Sequence, residues 1–468
     1  MVAIAAPLWY TGSNNERDRP LTRRQVKKSI LKIIAFVGIF ILLFAAMTAV
    51  FSNHPDFRIV QSIRAFYDEP ADSLQGVYIG TSTCYAFWNA LVAWKNYGLT
   101  VFPYTCAGMP LYATEYVIRE ARKTQPDALF IVNINSVVYD AMDITHVHHV
   151  LSYMPESEIK AELRDRLCEL LGLSWSERLE LYVPWIRMRQ YWTEYLDEGI
   201  IPRVDGLKGA SHYDNYLSKS IDLSRRYKKT QKRTPLTDRQ VACIEQLLDY
   251  CDAEGIRILF VAVPRDEKRA DLLGHINTAC DLIREHGHEV LDLSDQVAAI
   301  PLDLSQDYYG PTHTNIHGAI KFTDYLSEYL IRNYGLEDRR GDPAYASWDA
   351  GLARYMEIIA PYVLDIELET GNRDYALAAP RGVAIAPAGA DRAEITWKAV
   401  KGAEVYCVYR KAGAKDAWER VAASEACALV DDGLEGGVTY RYTVVPARRS
   451  GPDLLYGNFS TFGQSITL

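Results

Sequence analysis

Between residues 75 and 333, five short apolar runs alternate with stretches of helical periodicity: GVYIG (76–80), LTVFPY (99–104), ALFIVNI (128–134), RILFVAV (257–263) and EVLDLS (289–294). Near-continuous apolar runs of this length read as strands buried on both faces, and the helical stretches between them as crossovers that keep neighbouring strands parallel. The pattern predicts a doubly wound, three-layer α/β domain of flavodoxin-like type, built on a five-stranded parallel sheet. Its ligand crevice should lie beyond the carboxyl ends of the strands. Residues 112–123 and Asp238–Ala253 read as two covering helices, the second entered through Pro235 and a Thr237 N-cap. Residues 141–235 break the alternation. They are mostly helical in pattern, rich in Trp and Tyr, and end in the basic run 225–233, so an insertion covering the crevice is expected.

The run IIAFVGIFILLFAAMTAVF, residues 33–51, holds no charge in 19 positions, close to the roughly 20 residues that cross a bilayer core as helix. Arg17, Arg19, Arg23, Arg24, Lys27, Lys28 and Lys32 precede it, against only Glu16 and Asp18. A basic flank stays in the cytoplasm. The expected topology is a cytoplasmic tail (1–28), a single-pass plasma-membrane anchor (29–51) and an extracytoplasmic remainder. A cleaved signal peptide is the competing reading, with a usual apolar stretch of about 7–15 residues. The formal charge of −9 leaves no broad basic surface for nucleic acid. Eight cysteines in 468 residues are too sparse for a disulfide scaffold. Cys84 with Cys106, and Cys407 with Cys427, either bridge outside the cell or remain free thiols.

After residue 333 the texture changes. A polar, Gly/Pro-bearing stretch leads into a terminal helix near 352–366, and beyond Pro380 short alternating runs are separated by turn signals such as Asp431-Asp432-Gly433. ITWKAVKGAEVYCVYRK followed by VTYRYTVVPA resembles a fibronectin type III module, which implies an all-β sandwich over 377–468 acting as a spacer or a binding arm. The α/β domain would then occupy 52–376.

Two motifs carry chemistry. Gly80-Thr81-Ser82-Thr83 follows the first strand, where a sharp strand-to-helix turn presents a hydroxyl at the sheet edge and a backbone N–H to a developing oxyanion. DYYGPTHTNIHGAIKFTDYL, residues 307–326, places His313 in a polar loop after the last strand, as a base for a Ser nucleophile requires. His146, His148 and His149, and the i, i+4 pair His313/His317, offer imidazoles at metal-ligand spacing. No HExxH glutamate or Cys/carboxylate set completes a shell, so neither a metal nor a cofactor is expected. No Gly-rich phosphate loop of either dinucleotide or P-loop type is present, which argues against a nucleotide-binding protein.

Gly80-Thr81-Ser82, Gly108 in CAGMP, and His313-Thr314-Asn315 with Gly318, Ala319, Lys321, Phe322 and Thr323 resemble the SGNH (GDSL-type) hydrolase superfamily. The likeness is closest to its membrane-anchored bacterial members related to the D-alanyl-transfer protein of teichoic-acid modification and to polysaccharide O-acetyltransferases. The resemblance implies Ser82 as nucleophile, His313 as general base, and Gly108 as a backbone oxyanion donor. The family's oxyanion amide falls on Asn135, with Asn133 the alternative. The family's Asp three residues before the His is here Gly310; Asp307 is the nearest carboxylate, and otherwise the site is a dyad or has decayed. The function implied is a serine esterase or O-acyltransferase acting on an acylated glycan or cell-envelope polymer, with an integral-membrane acyl donor as partner if it transfers. A non-catalytic surface binding or adhesion protein on a degenerate hydrolase fold is the alternative.

Overall fold

The computed structural model describes residues 22–138, 144–198, 204–213, 231–265, 270–294 and 300–468. Most of the basic tail, and residues 225–230 of the basic run, lie outside them. Helix α1 (Arg23–Phe51) opens on a capping box between Thr22 and Gln25, and none of its residues is buried. It is long and apolar enough to cross a membrane, by length and composition, as a span or a signal sequence is.

A short helix α2 (Phe57–Ile59) runs into a π-helical turn ending at Arg64, and then the doubly wound pattern begins. Its order is β1 (Gly76–Gly80), α3 (Ser82–Phe87), α4 (Ala90–Tyr97), β2 (Val101–Thr105), α5 (Thr114–Ala121) and β3 (Leu129–Asn133). An insertion follows, whose helices among the described residues are α6 (Ile144–Leu151), α7 (Glu158–Leu170), α8 (Trp175–Tyr182), α9 (Trp185–Met188) and α10 (Trp192–Glu198). The sheet resumes with α11 (Asp238–Ala253), β4 (Ile258–Ala262), α12 (Ala270–Glu285) and β5 (Val290–Asp292).

All five strands are parallel, in the order β2-β1-β3-β4-β5. Alternate strand residues enter opposite apolar layers, because successive Cβ atoms point to opposite faces. Val77, Ile79, Phe102, Phe130, Val132 and Phe260 join one layer; Tyr78, Val101, Leu129, Ile131, Leu259 and Val261 join the other. That is why these strands read as unbroken apolar runs. The chain leaves β1 for β2 on one side and returns to β3 on the other. The crevice of such a sheet lies where that order reverses, beyond the carboxyl ends of β1 and β3.

A small hairpin, β6 (Tyr308–Gly310) with β7 (His313–Thr314), precedes α13 (Ile316–Tyr334) and α14 (Ala346–Ile359). The chain then enters a two-sheet antiparallel sandwich. One sheet pairs β8 (Ala384–Pro387), β9 (Ala393–Thr396) and β12 (Ala428–Asp431). The other pairs β10 (Val405–Lys411), β11 (Glu419–Ser424), β13 (Thr439–Ser450), β14 (Asp453–Tyr456) and β15 (Gln464–Thr467). Trp397, Tyr406, Val408, Tyr442 and Val444 fill its interior. Its outer face is not free: Cys407, Tyr409, Trp418, Val445 and Phe459 pack with Leu364 and Ile366 of the incoming chain. All eight cysteines are free thiols, so of the two alternatives for Cys84 with Cys106 and for Cys407 with Cys427 it is the free-thiol one that is found. Burial raises the Cys84 and Cys106 thiols above their ordinary range.

Candidate active site

Gly80 ends β1 and Ser82 opens α3, with one residue between them. A Cβ at Gly80 would come within 2.5 Å of Cys84 Sγ and 2.7 Å of Asn133 Cβ, so the turn closes this tightly only on glycine. Thr81 caps α3 through its hydroxyl, which accepts from the Thr83 N–H at 3.4 Å. Ser82 is thereby held at the carboxyl edge of the sheet, beside the switch between β1 and β3.

His313, 231 positions along the chain, reaches the same point: its Nε2 lies 2.8 Å from Ser82 Oγ. The hairpin is pinned on both sides. The Thr314 hydroxyl donates to Ala86 O on α3. Asn315 caps α13 by accepting from the His317 and Gly318 N–H groups at 3.1 and 3.2 Å. Its Nδ2 donates back to Gln306 O at 2.7 Å.

Among the described residues no carboxylate holds the imidazole. Nδ1 lies 2.8 Å from Thr312 Oγ1. With the proton on Nδ1 and donated to that oxygen, the Nε2 lone pair faces the serine hydroxyl, the tautomer a general base needs. The expectation that Asp307 turns in toward His313 is corrected. Asp307 is buried, and its Oδ2 accepts from Lys321 Nζ at 2.8 Å and from the Asp303 N–H at 2.7 Å. His317 turns its Nδ1 to buried Glu367, 2.5 Å away.

Burial lowers the His313 pKa to about 4, and the positive charges of Arg265 and Arg58 push in the same direction. The ring is therefore neutral at neutral pH. Tyr213 and Tyr309 stack face to face, 4.1 Å apart at 11°. Both meet His313 nearly edge-on, at 6.1 and 5.8 Å. Arg58 lies over Tyr213 at 5.1 Å, and the Ile316 N–H donates to Tyr213 O at 2.9 Å.

Gly108 follows β2 in a loop tied to the Gly80–Ser82 turn by the Cys106 N–H, which donates to Gly80 O at 3.3 Å. Its φ of +70° is left-handed, and a Cβ there would sit 2.1 Å from the His146 ring. Its N–H has no acceptor among the described residues. The Asn135 amide pairs with the backbone of Val263. Its Oδ1 accepts from the Val263 N–H at 2.8 Å and its Nδ2 donates to Val263 O at 3.3 Å, joining the chain beyond β3 to the end of β4. Asn133 is fully buried, with Oδ1 taking the Thr83 hydroxyl at 3.3 Å and its amide beside the Tyr78 hydroxyl.

His146, His148 and His149 meet His54 in one cluster, with His54 and His149 rings 4.6 Å apart. Burial lowers His54 to about 4 and His148 to about 3. Among the described residues no group of three His, Cys, Asp or Glu is placed to hold a metal.

Sequence reasoning missed Thr312, Tyr213, Tyr309, Arg58 and Arg265. Thr312 stands next to His313 and Tyr309 lies in the same motif, so both were within reach. Arg58 and Tyr213 belong to distant segments and carried no signal.

No family model matches the chain, and no curated protein matches it. Among solved structures it is similar to fibronectin type III domains over about a fifth of its length. FN3tt mut is 18% identical, covering 19% of this chain and 94% of its own, with a TM-score of 0.17. An FN3 domain of human collagen XX is 14% identical, covering 20% and 96%, with a TM-score of 0.17. An Fn3-like protein from Clostridium thermocellum is 26% identical, covering 18% and 88%, with a TM-score of 0.16.

Proposed function

We propose that this chain is a membrane-anchored, extracytoplasmic serine esterase or O-acyltransferase of SGNH-like type, acting on acyl groups of a cell-envelope glycan or polymer. The observation that carries the reading is the 2.8 Å approach of His313 Nε2 to Ser82 Oγ at the switch point of the parallel sheet. Ser82 Oγ attacks the acyl carbonyl while Nε2 takes its proton. The tetrahedral oxyanion rests on the N–H groups of Ser82 and Gly108. The protonated imidazole then gives its proton to the leaving alkoxide, leaving an acyl-serine. Water ends the cycle as hydrolysis and a sugar hydroxyl as transfer, with an integral-membrane acyl donor as partner in the second case. The C-terminal sandwich is read as a fibronectin type III-like module.

Hydrolysis of aryl acetates by the full chain tests this. Ser82→Ala and His313→Ala should each remove nearly all activity. The double variant should be little worse, because members of one catalytic unit are strongly non-additive. A wild-type rate equal to that of Ser82→Ala contradicts it.

A further inference from the structure

The insertion also packs against the N-terminal helix. Its short helix α9 touches α1 well below that helix's outer end: the Trp185 and Phe44 rings meet edge-to-face, 6.0 Å apart at 81°. Phe44 lies seven residues before Phe51, which at 1.5 Å per residue places it about 10 Å down the axis. Counted from Lys32, the last charge before the apolar run, a hydrocarbon core of about 30 Å takes up about 20 residues, to near position 52. A ring packed on Phe44 is therefore inside the outer leaflet if α1 spans.

The surroundings agree with that depth. Between the end of α1 and α9–α10 runs an open groove of about 570 Å³, with Met47, Phe51, Ile186 and Trp192 forming its apolar wall and Glu180, Arg187, Arg189 and Gln190 its polar one. Trp192 is 56% exposed, an expensive posture in water and an ordinary one at the headgroup level. Arg189 is exposed at the rim of the same groove. Residues 175–195 carry three acids (Glu177, Glu180, Glu194) and three bases (Arg178, Arg187, Arg189), so attraction to anionic lipid is not what would hold them there. Apolar insertion is.

We propose that α9, α10 and the groove beside α1 form a membrane-docking surface that rests in the outer leaflet, with phospholipid acyl chains against Ile186 and Trp192. This rests on reading α1 as a membrane span, not on the chemistry of Ser82. It also ties the site to the bilayer by direct packing: Tyr191 stands 4.5 Å from His54, His54 touches His149, and His149 Nδ1 lies 3.3 Å from Ala107 O, one residue before Gly108.

The test uses the full chain in phosphatidylcholine nanodiscs doped with phosphatidylcholine carrying a photoactivatable diazirine in mid-acyl chain. Adducts are then mapped by mass spectrometry. Adducts in both 33–51 and 175–195 are expected, with no change when anionic lipid is added. Ile186→Asp combined with Trp192→Asp should abolish adducts in 175–195 and leave those in 33–51. Labelling confined to 33–51 in the wild-type chain overturns the docking surface while keeping the anchor. Labelling in neither segment overturns the anchor and the surface with it. Labelling of 175–195 that survives the double substitution overturns the assigned contact residues.

Discussion

In the proposed reaction, two contacts of His313 set the chemistry at the level of single residues: a serine hydroxyl at one nitrogen and a threonine hydroxyl at the other. A base must be unprotonated to act, so the acid limb of kcat/KM follows its pKa. Burial, then Arg265 and Arg58, lowers that pKa to about 4. Activity is expected to stay level from pH 7 to near pH 5 and fall only toward pH 4. Arg58→Gln removes one positive charge, makes protonation easier and should move the limb upward; a downward shift in the pH–rate profile would contradict this. Thr312 is expected to hold the imidazole tautomer. Losing one neutral hydrogen bond is worth about 1 kcal/mol, so Thr312→Val should lower kcat about 5-fold with KM little changed. Gly310→Asp should raise the rate of that variant, since a Cβ at position 310 meets open space. The Ser and the His were legible in the sequence, because a Gly-bearing turn after a strand and a loop His before a helix are local patterns. Asp307 was not, because a carboxylate six residues from an imidazole says nothing about Lys321, which captures it from the facing helix.

At the scale of elements, the site depends on a hairpin and a helix cap. Asn315 joins them: its side chain takes two N–H groups of α13 and gives one hydrogen to Gln306 O. Asn315→Ala should cost about 1–2 kcal/mol of stability as a lost N-cap. Activity should fall further than the lower melting temperature explains, since β7 carries His313. Activity that falls only in proportion to the folded fraction would make Asn315 a cap and nothing more. The strands were legible because both faces of the sheet are buried, so period and length alone mark them. The aromatic shelf of Tyr213 and Tyr309 was not: it forms between the later part of the insertion and the hairpin, a contact with no local signature.

At the scale of the whole molecule, the C-terminal sandwich is built onto the α/β domain. Its outer face shares an apolar cluster with Leu364 and Ile366. The Thr461 N–H and hydroxyl both donate to Gln306 Oε1, at 3.2 and 3.1 Å, in the chain leading to the hairpin that carries His313. The alternating texture beyond Pro380 showed that a sandwich was present. It could not show that one outer face is apolar because it is covered. Trp418→Ala should destabilise the chain by about 3–5 kcal/mol, as for a large buried aromatic. The loss should appear as a lower melting temperature of the full chain; an unchanged one would make the sandwich an independent spacer.

Everything proposed about chemistry turns on whether Ser82 is an activated nucleophile. A fluorophosphonate probe phosphonylates a serine hydroxyl only when a neighbouring base draws off its proton. Intact-mass and peptide analysis of the full chain after such treatment should show one adduct, on Ser82, absent from both Ser82→Ala and His313→Ala. A folded wild-type chain that takes no adduct, or one whose labelling persists in Ser82→Ala, would contradict the assignment.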